Sequence, residues 1–538
     1  MTEDSKMNDI DFFLKSWSGK KTIKGQSFDE LFEIEGIPLW WFLKRFFVAH
    51  VMPTQINAFQ QMHNHEDLTV KDNLKNYMSS KILTRYISIN EQHKIKHYGK
   101  NVTNTDTSNQ EKALFITYSN HINNDNSVFR LQGVLDALQK DGRIKELVLF
   151  SEPLSKRRHK TATPYSHIYR YYDEAASAKA KECAEELSKK WRSLNDKDKY
   201  SMLSLRGTSL WPYLKHSFNL FMSKEFLYVL ILQYEILKKI ILQEEIKVIV
   251  LTSMNGLLDK CAMAAAKQFQ TSCLIIQHGT GKFYDGQLAN PEPIGNSKLL
   301  VFSDFYKKQF VDSGVAEDNV IVVGPVVLDE VVDELLTASA GLEDAQKKEK
   351  TILFATSPLV EDNLISKDAY FGRMAKILSD LKKIDGSVIL KLHPREKHAG
   401  MYRKIMQDLG FKDIIILQNT TRKEFYGLMR GCDSFLNLGS TAAMEAIILD
   451  KPVVTIDIQD NDKDYIQRLK ATFIEDSNAT LRVRHEENIT EAVERSFLDE
   501  ALFKQRRKEF VRKYFHTVDG KAHQRVVECV YGVMGVTR

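Results

Sequence analysis

The chain has 538 residues, of which 43% are hydrophobic and 27% are charged, and its formal net charge is +5. This length exceeds what one hydrophobic core usually supports, so we expect two or more domains. The small net charge argues against a dedicated nucleic-acid binder, and five scattered cysteines without a CxxC pair fit free thiols in a reducing cytoplasm better than a disulfide framework or a zinc site.

The first 110 residues are predicted to form a helical N-terminal extension. Met1 to Asp11 is polar and acidic, so no secretory signal peptide is expected. The segment Ile37 to Phe47 is aromatic and carries two cations, and it suits either a buried aromatic helix or docking on a membrane surface. Glu91 to Gln110 is rich in Asn, Thr, His and Lys, which indicates a linker or an exposed excursion.

Short apolar runs alternate with helical patterns in residues 111–336, which predicts a Rossmann-like domain with a parallel sheet covered on both faces. A helical insertion is expected from about Glu174 to Glu245. Its long apolar stretch, Phe218 to Ile246, is interrupted by charges and predicts an amphipathic helix on a core rather than a membrane span. The predicted strands are Ala113–Tyr118, Leu147–Phe150, Lys247–Leu251, Cys273–Ile276, Leu299–Phe302 and Val320–Val323.

A second alternating series begins at residue 351 and predicts a second Rossmann-like domain over residues 351–488. Residues 337–350 are small, polar and charged, and we place the interdomain linker there. Residues 489–538 are predicted to be charged helices that end the chain on a surface. The predicted strands are Thr351–Ala355, Val388–Leu392, Ile414–Leu417, Ser434–Leu438 and Pro452–Ile456.

Polar residues follow four strands of the second domain, where open parallel sheets bind their ligands. Gly439 allows a close backbone approach, and Ser440 and Thr441 precede a predicted helix whose N-terminus suits a phosphate. Glu445, one turn into that helix, is placed to accept hydrogen bonds from ribose hydroxyls. The other polar residues at these strand ends are Ser357, His393, Arg395, Gln418 and Asn419.

Each of these residues also has an ordinary structural explanation. A Gly-Ser-Thr run before a helix is most often an N-cap. His393 can end a strand with its bonds satisfied by the backbone, and Arg395 can be a surface cation. Their common placement at one edge of one sheet favours a site for a phosphorylated nucleotide donor.

A second group of polar residues ends strands of the first domain. His278 lies in the run Gln277 to Lys282 after a predicted strand, and a histidine there can act as a general base because its pKa is near physiological pH. Ser119, Asn120 and His121 end the first strand and are placed to line the same cleft. A structural role for either histidine stays open.

Metal binding has little support in the sequence. There is no HExxH motif, His/Cys cluster or acidic pair at a strand end, and we interpret Asp457, Asp460 and Asp462 as part of a solvated loop. No metal is expected, and no cofactor other than the nucleotide-activated substrate.

Two Rossmann-like domains with these motifs resemble GT-B glycosyltransferases, and more closely the group of CDP-glycerol glycerophosphotransferases, bacterial polysialyltransferases and capsule polysaccharide transferases. The segment Val323 to Asp329 also resembles the Gly-Asn-Pro segment near the domain junction of UDP-N-acetylglucosamine 2-epimerases, which share the fold. The motifs that carry the resemblance, all within residues 270–456, are Gln277-His278-Gly279-Thr280, Leu392-His393-Pro394-Arg395 and Gly439-Ser440-Thr441-Ala442-Ala443-Met444-Glu445-Ala446.

The resemblance implies an inverting, metal-independent transfer from a CMP-, CDP- or UDP-linked donor to a hydroxyl of a glycan or surface polysaccharide. It assigns the catalytic base to His278, and ribose binding to Glu445. The implied location is the cytoplasm, including the inner face of a membrane. Donor phosphate is assigned to His393, Ser440 and Thr441; further donor-side candidates are Ser357, Arg395 and Gly439; acceptor-side candidates are Ser119, Asn120, His121, Gly279 and Thr280.

The sequence departs from the group in two ways. The first motif continues Gly281-Lys282-Phe283, without the proline common after His-Gly-Thr in glycerophosphotransferases, and residues 1–110 and the insertion match nothing in the group. Donor and acceptor therefore stay open. The alternatives are a nucleotide-sugar 2-epimerase-like enzyme, which the segment Val323 to Asp329 supports, and a non-catalytic nucleotide-sugar-binding protein.

Overall fold

Two parallel β-sheets, each with helices packed on both faces, form the framework of the protein. They confirm the predicted α/β fold with two Rossmann-like domains, the GT-B class. The computed structural model describes residues 17–47, 70–99, 110–122, 125–151, 165–205, 208–254, 256–277, 295–329, 332, 349–361, 364–413, 415–440, 442–458, 478–499 and 501–536.

An aromatic core occupies the N-terminal region, and the 37–47 segment belongs to it. Trp40 is 3% exposed, Trp41 7% and Phe47 fully buried, and the ring of Phe218 from the helical insertion stacks 6.1 Å from that of Trp40. The membrane-docking alternative for this segment is therefore wrong, because its rings pack against the insertion. The elements here are α1 (Phe28–Leu31), β1 (Glu33–Ile34), β2 (Ile37–Pro38) and α2 (Leu39–Phe46).

Helix α3 spans Val70–Tyr98 and takes up the first part of the predicted linker. Glu91 and Lys94 on its inner face are 2% and 7% exposed, and Glu91 accepts a hydrogen bond from the hydroxyl of Tyr169. Burial raises the pKa of Glu91 to about 7. An exposed linker is therefore wrong for residues 91–98, because they continue helix α3 and Glu91 and Lys94 are buried on its inner side; residues 100–109 lie outside the described ones.

The first sheet begins at Lys112, and all six strands predicted for it are confirmed. Its strands are β3 (Lys112–Tyr118), β4 (Lys145–Ser151), β5 (Ser166–His167), β8 (Ile246–Leu251), β9 (Ser272–Ile276), β10 (Ser297–Val301) and β11 (Val320–Val322), while β6 (Ser204–Leu205) and β7 (Thr208–Ser209) form a separate antiparallel pair. The order is β11-β10-β9-β8-β3-β4-β5, with every pairing parallel. Strand β5, only two residues long, was not predicted.

The helices described in residues 111–336 include four that form the predicted insertion. The stretch Phe218 to Ile246 is not one helix, because the side chain of Ser223 caps a new helix by accepting a bond from the Phe226 amide. Within the described ranges, none of the helices combines the length and apolar character that a membrane span needs. The helices are α4 (Gln132–Asp141), α5 (Glu174–Ser193), α6 (Asp196–Met202), α7 (Trp211–Phe221), α8 (Lys224–Gln243), α9 (Leu257–Gln268) and α10 (Asp304–Asp312).

The second sheet contains the five predicted strands and one that was not predicted. Its strands are β12 (Lys350–Ala355), β13 (Gly386–Lys391), β14 (Ile415–Leu417), β15 (Ser434–Asn437), β16 (Val453–Asp457) and β17 (Leu481–Arg484), with helices α11 (Lys367–Leu381), α12 (Ala399–Asp408), α13 (Arg422–Gly431) and α14 (Ala442–Ile448). The order is β14-β13-β12-β15-β16-β17, again all parallel. Of the predicted linker, residues 337–348 lie outside the described ones, and Lys350 already belongs to β12.

Asp457 was predicted to lie in a solvated loop, but the structure places it in a strand. It is the last residue of β16, only 8% exposed, and its carboxylate accepts a bond of 2.6 Å from Arg482 on the neighbouring strand β17. The cross-strand ion pair explains why the carboxylate is buried. Asp460 and Asp462 lie outside the described residues.

The chain ends in helices α15 (Ile489–Leu498), α16 (Ala501–Phe515) and α17 (Ala522–Met534). Val526 and Val530 of α17 are fully buried in the core of the first sheet, against helix α4. The last helix therefore returns to the first domain rather than ending on a surface, because its apolar side completes a core that the first domain leaves open.

A carboxylate anchors this returning helix. Asp329, which follows β11, accepts hydrogen bonds from the amides of Ala522 (3.2 Å) and His523 (2.6 Å), and from Nδ1 of His523 (2.7 Å). An acceptor at a helix N-terminus satisfies amides that have no partner within the helix. The segment Val323 to Asp329 thus joins the first domain to the end of the chain.

Candidate functional site

The turn after β15 is held by one buried side chain, that of Asn437. Its Oδ1 accepts bonds from the amides of Gly439 (2.9 Å) and Ser440 (3.1 Å), and its Nδ2 donates to the Val454 carbonyl (3.2 Å) and the Thr455 hydroxyl (3.1 Å). Asn437 is fully buried. The turn is therefore fixed from inside the sheet.

Gly439 and Ser440 sit where the sequence predicts a close backbone approach. Gly439 has φ +76°, which favours glycine, and Ser440 Oγ accepts a bond of 3.2 Å from the amide of Ala442, the first residue of α14. Ser440 therefore accepts the bond of the first helical amide, and the amides of Gly439 and Ser440 are already bonded to Asn437. Thr441 lies outside the described residues.

Glu445 lies one turn into α14 and is half-buried. Its Oε1 accepts a hydrogen bond of 3.1 Å from the hydroxyl of Tyr426 on α13. This contact fixes the direction of the carboxylate before any ligand arrives, and preorganised polar groups bind with less loss of entropy.

The ends of β12 and β13 bring two further predicted residues to the same edge. Ser357 is buried, and its hydroxyl donates across to the Leu438 carbonyl at 3.5 Å. The amide of His393 donates to the Thr356 hydroxyl at 3.3 Å, and its Nδ1 accepts from the Arg395 amide at 3.2 Å. His393 is half-buried and Arg395 exposed. Ser357, His393, Gly439 and Ser440 therefore share one edge of the sheet, as predicted from their strands.

Glu396, on the same loop as His393, is a buried acid that was not predicted from the sequence. It is 6% exposed, and its Oε2 accepts from the hydroxyls of Thr356 (2.8 Å) and Tyr402 (3.4 Å). Burial is the main cause that raises its pKa to about 8, and the nearby Glu361 carboxylate adds to the shift. Glu396 is therefore protonated at neutral pH, and through Thr356 it supports the loop that carries His393.

The acceptor-side residues Ser119, Asn120 and His121 form a short 3₁₀ turn directly after β3. The ring of His121 lies between those of Tyr118 and Phe129, with both centroid distances 5.7 Å. Burial and the Arg130 cation lower the pKa of His121 to about 4. The imidazole is therefore neutral at physiological pH.

The proposed catalytic base lies beyond the described part of the chain. His278, Gly279 and Thr280 fall within residues 278–294, which are outside the described ones. Gln277 immediately before them is described, and its Oε1 accepts a bond of 2.9 Å from the amide of Phe302. The roles assigned to these residues and to the donor-side residues stay predictions.

Asp259 is a second buried acid that the sequence reasoning missed. It lies in the first turn of α9, is 1% exposed, and accepts hydrogen bonds from the Gly256 amide at 2.9 Å and from the side chains of Tyr118 and Ser253. Burial raises its pKa to about 6. A methyl group at Gly256 would lie 2.3 Å from the Tyr118 hydroxyl, so this close packing needs glycine. The Gly-x-x-Asp spacing of a capping box was the available sequence signal.

A cavity of about 370 Å³ lies between α4, the N-terminal end of α17 and the segment that follows β11. Arg130, Gln132, Asp136 and His523 are among its lining residues. Because these side chains include hydrogen-bond donors and acceptors and charges of both signs, the cavity suits a polar ligand better than an apolar one. Among the described residues, no group of three or more His, Cys, Asp or Glu could hold a metal ion.

Part of the chain is similar in sequence to a family of nucleotide-sugar enzymes. Residues 297–531 match the family model described as UDP-N-acetylglucosamine 2-epimerase. No curated protein sequence matches the chain.

Solved structures of low sequence identity share the general architecture. The MnaA–UDP complex of S. aureus is 13% identical, with a TM-score of 0.47, covering 79% of this chain and 98% of that one. The UDP-GlcNAc 2-epimerase of Neisseria meningitidis, bound to UDP-GlcNAc, is 14% identical, with a TM-score of 0.48 and coverages of 78% and 100%. MurG of Acinetobacter baumannii is 12% identical, with a TM-score of 0.42 and coverages of 78% and 99%.

Proposed function

We propose that this chain is an enzyme that binds a UDP-linked sugar at the C-terminal edge of the second sheet and inverts the configuration at carbon 2 of the sugar. The family match carries the proposal, because residues 297–531 include the whole second sheet together with Ser440 and Glu445. The match favours the epimerase alternative over the transferase that the sequence motifs first suggested.

In this proposal, side chains at the edge of the second sheet bind the nucleotide diphosphate. The Ser440 hydroxyl and His393 contact the phosphates, and the Glu445 carboxylate, which accepts a hydrogen bond from Tyr426, contacts the ribose hydroxyls. Carboxylates commonly accept paired hydroxyls of a ribose in Rossmann-type sites. Arg395, on the same loop as His393, brings a cation to the phosphate side.

Inversion at carbon 2 breaks a C–H bond and remakes it on the opposite face of the ring, so the site needs groups that accept and return a proton. His121 is one candidate, because its imidazole is neutral at physiological pH and its Nδ1 is buried without a hydrogen-bond partner among the described residues. His278 is the second candidate, on the evidence of its sequence context.

A second candidate function is transfer of the sugar to an acceptor hydroxyl. The observation that favours it is the run Gln277-His278-Gly279-Thr280 directly after β9, which resembles the glycerophosphotransferase and polysialyltransferase group. A transferase uses one base near the acceptor, and it needs no second proton-transfer group on the opposite face of the sugar.

Incubation with UDP-N-acetylglucosamine in heavy water, without any acceptor, separates the two functions. We expect conversion to the carbon-2 epimer with deuterium at carbon 2, detected by proton NMR. Glu445→Ala is expected to lower kcat/KM by about 10–100-fold, because a charged hydrogen bond to the ribose is lost. Glu494→Ala, at an exposed position of α15, is the matched control and should keep wild-type turnover.

Two other outcomes would contradict the expected epimerisation. An intact donor without acceptor, but UDP release once an oligosaccharide acceptor is added, would favour transfer over epimerisation. No UDP binding and no turnover under either condition would exclude both functions for this chain.

A further inference from the structure

Helix α3 carries a row of large apolar side chains that face away from the protein. Ile82 is 66% exposed, Leu83 43%, Tyr86 62% and Ile89 57%. Single exposed apolar residues are ordinary, but four within two helical turns form a contiguous patch. Patches of this kind mark surfaces that bind a partner or a membrane.

The spacing shows that this row is one face of the helix. Ile82, Tyr86 and Ile89 stand at positions i, i+4 and i+7, which lie on the same side of an α-helix. Ile87 and Ile95 pack against the core on the inner side, near the buried Glu91. The inner face therefore holds α3 to the protein, and the outward face, defined by residues 82, 83, 85, 86, 89, 93 and 96, takes no part in that packing.

The outward face is also basic. Arg85, His93 and Lys96 are exposed alongside the apolar row. Residues 82–99 contain one acid, Glu91, and it is buried on the other side of the helix. Apolar side chains flanked by cations, without exposed acids, are the pattern of helices that lie in the interface of an anionic membrane.

We propose that the outward face of α3 docks on an anionic lipid surface. The apolar row enters the boundary between headgroups and acyl chains, and Arg85 and Lys96 contact the negatively charged headgroups. A second copy of this chain fits less well, because it would gather Arg85 and Lys96 of both copies in one interface that has no exposed acid on this face. A nucleic acid would satisfy the cations but would leave Ile82 and Ile89 uncovered.

Vesicle co-sedimentation of the full chain tests this proposal. We expect binding to vesicles of phosphatidylcholine with phosphatidylglycerol, weaker binding at high salt, and little binding to phosphatidylcholine alone. The double variant Ile82→Ser, Ile89→Ser should bind the anionic vesicles at least about tenfold more weakly, because two buried apolar side chains are lost. Leu242→Ser is the matched control: this leucine is 62% exposed on α8, and its loss should change nothing.

Three results would overturn the proposal. The double variant could bind as the wild type does, the wild type could bind neutral vesicles equally well, or the wild type could form dimers that the double variant lacks while binding no vesicles. Turnover of UDP-N-acetylglucosamine in solution should be equal in wild type and double variant. Failure of the membrane proposal therefore leaves the proposed enzymatic function untouched, and the reverse also holds.

Discussion

Asn437→Ala is expected to lower the free energy of unfolding by about 3 kcal/mol and to weaken UDP binding at least about tenfold. Asn437 is fully buried and makes four hydrogen bonds, two to the amides of Gly439 and Ser440 and two to β16. Alanine leaves both turn amides without their acceptor, and each unsatisfied buried group costs about 1–3 kcal/mol. The turn that carries Ser440 then loses its fixed shape, and with it the proposed contact to the phosphates.

Asn488→Ala is the control for this experiment. Asn488 caps α15 in the same domain by accepting a bond of 3.2 Å from the Glu491 amide, so its loss should cost about 1 kcal/mol. Chemical denaturation gives the stability of each variant, and calorimetric titration with UDP, at a temperature where both are folded, gives the affinity. An Asn437→Ala protein that is less stable yet binds UDP as tightly as the wild type would separate the turn from nucleotide binding.

Glu396→Gln is expected to remove a pH-dependent loss of stability of up to about 4 kcal/mol. Burial raises the pKa of Glu396 to about 8 from the ordinary 4.5. The unfolded chain releases this proton near pH 4.5 and the folded chain near pH 8, so the folded state holds one more proton between these values. The stabilising contribution is complete below pH 4.5 and is lost as the pH rises to about 8.

Glutamine keeps the size of the side chain and an acceptor for the Thr356 hydroxyl, but it does not ionise. Relative to the wild type, Glu396→Gln should therefore become more stable as the pH rises from 5 to 8.5, measured by chemical denaturation at both pH values. Asp408→Asn, at an exposed position of α12, should keep the wild-type slope. Equal slopes for Glu396→Gln and the wild type would show that Glu396 is ionised in the folded protein.

The sequence predicted the strands of both sheets well because a strand buried on both faces must be a continuous apolar run. Leu353 and Phe354 of β12, for example, face opposite cores and are both fully buried. The position of the candidate site followed from the same reasoning, since polar residues after parallel strands meet at one edge. The edge strands β5 and β17 escaped prediction because they are short and partly polar.

What could not be predicted depends on contacts between distant parts of the chain. Helix α3 turns Glu91 inward, where Tyr169 provides the hydrogen bond that makes its burial possible. Helix α17 belongs to a tail that was predicted to end on a surface, yet Val526 and Val530 complete the first core. Glu396 reads as one of several charges after β13, and only the convergence of side chains from other elements buries it.

A crystal structure of the full chain with UDP tests the nucleotide site most directly. We expect the diphosphate to lie against Ser440 and His393, and the ribose hydroxyls to lie within hydrogen-bond distance of the Glu445 carboxylate. UDP bound at the cavity near Arg130, or bound at the second sheet without any contact to Glu445, would contradict the assignment of this edge as the nucleotide site.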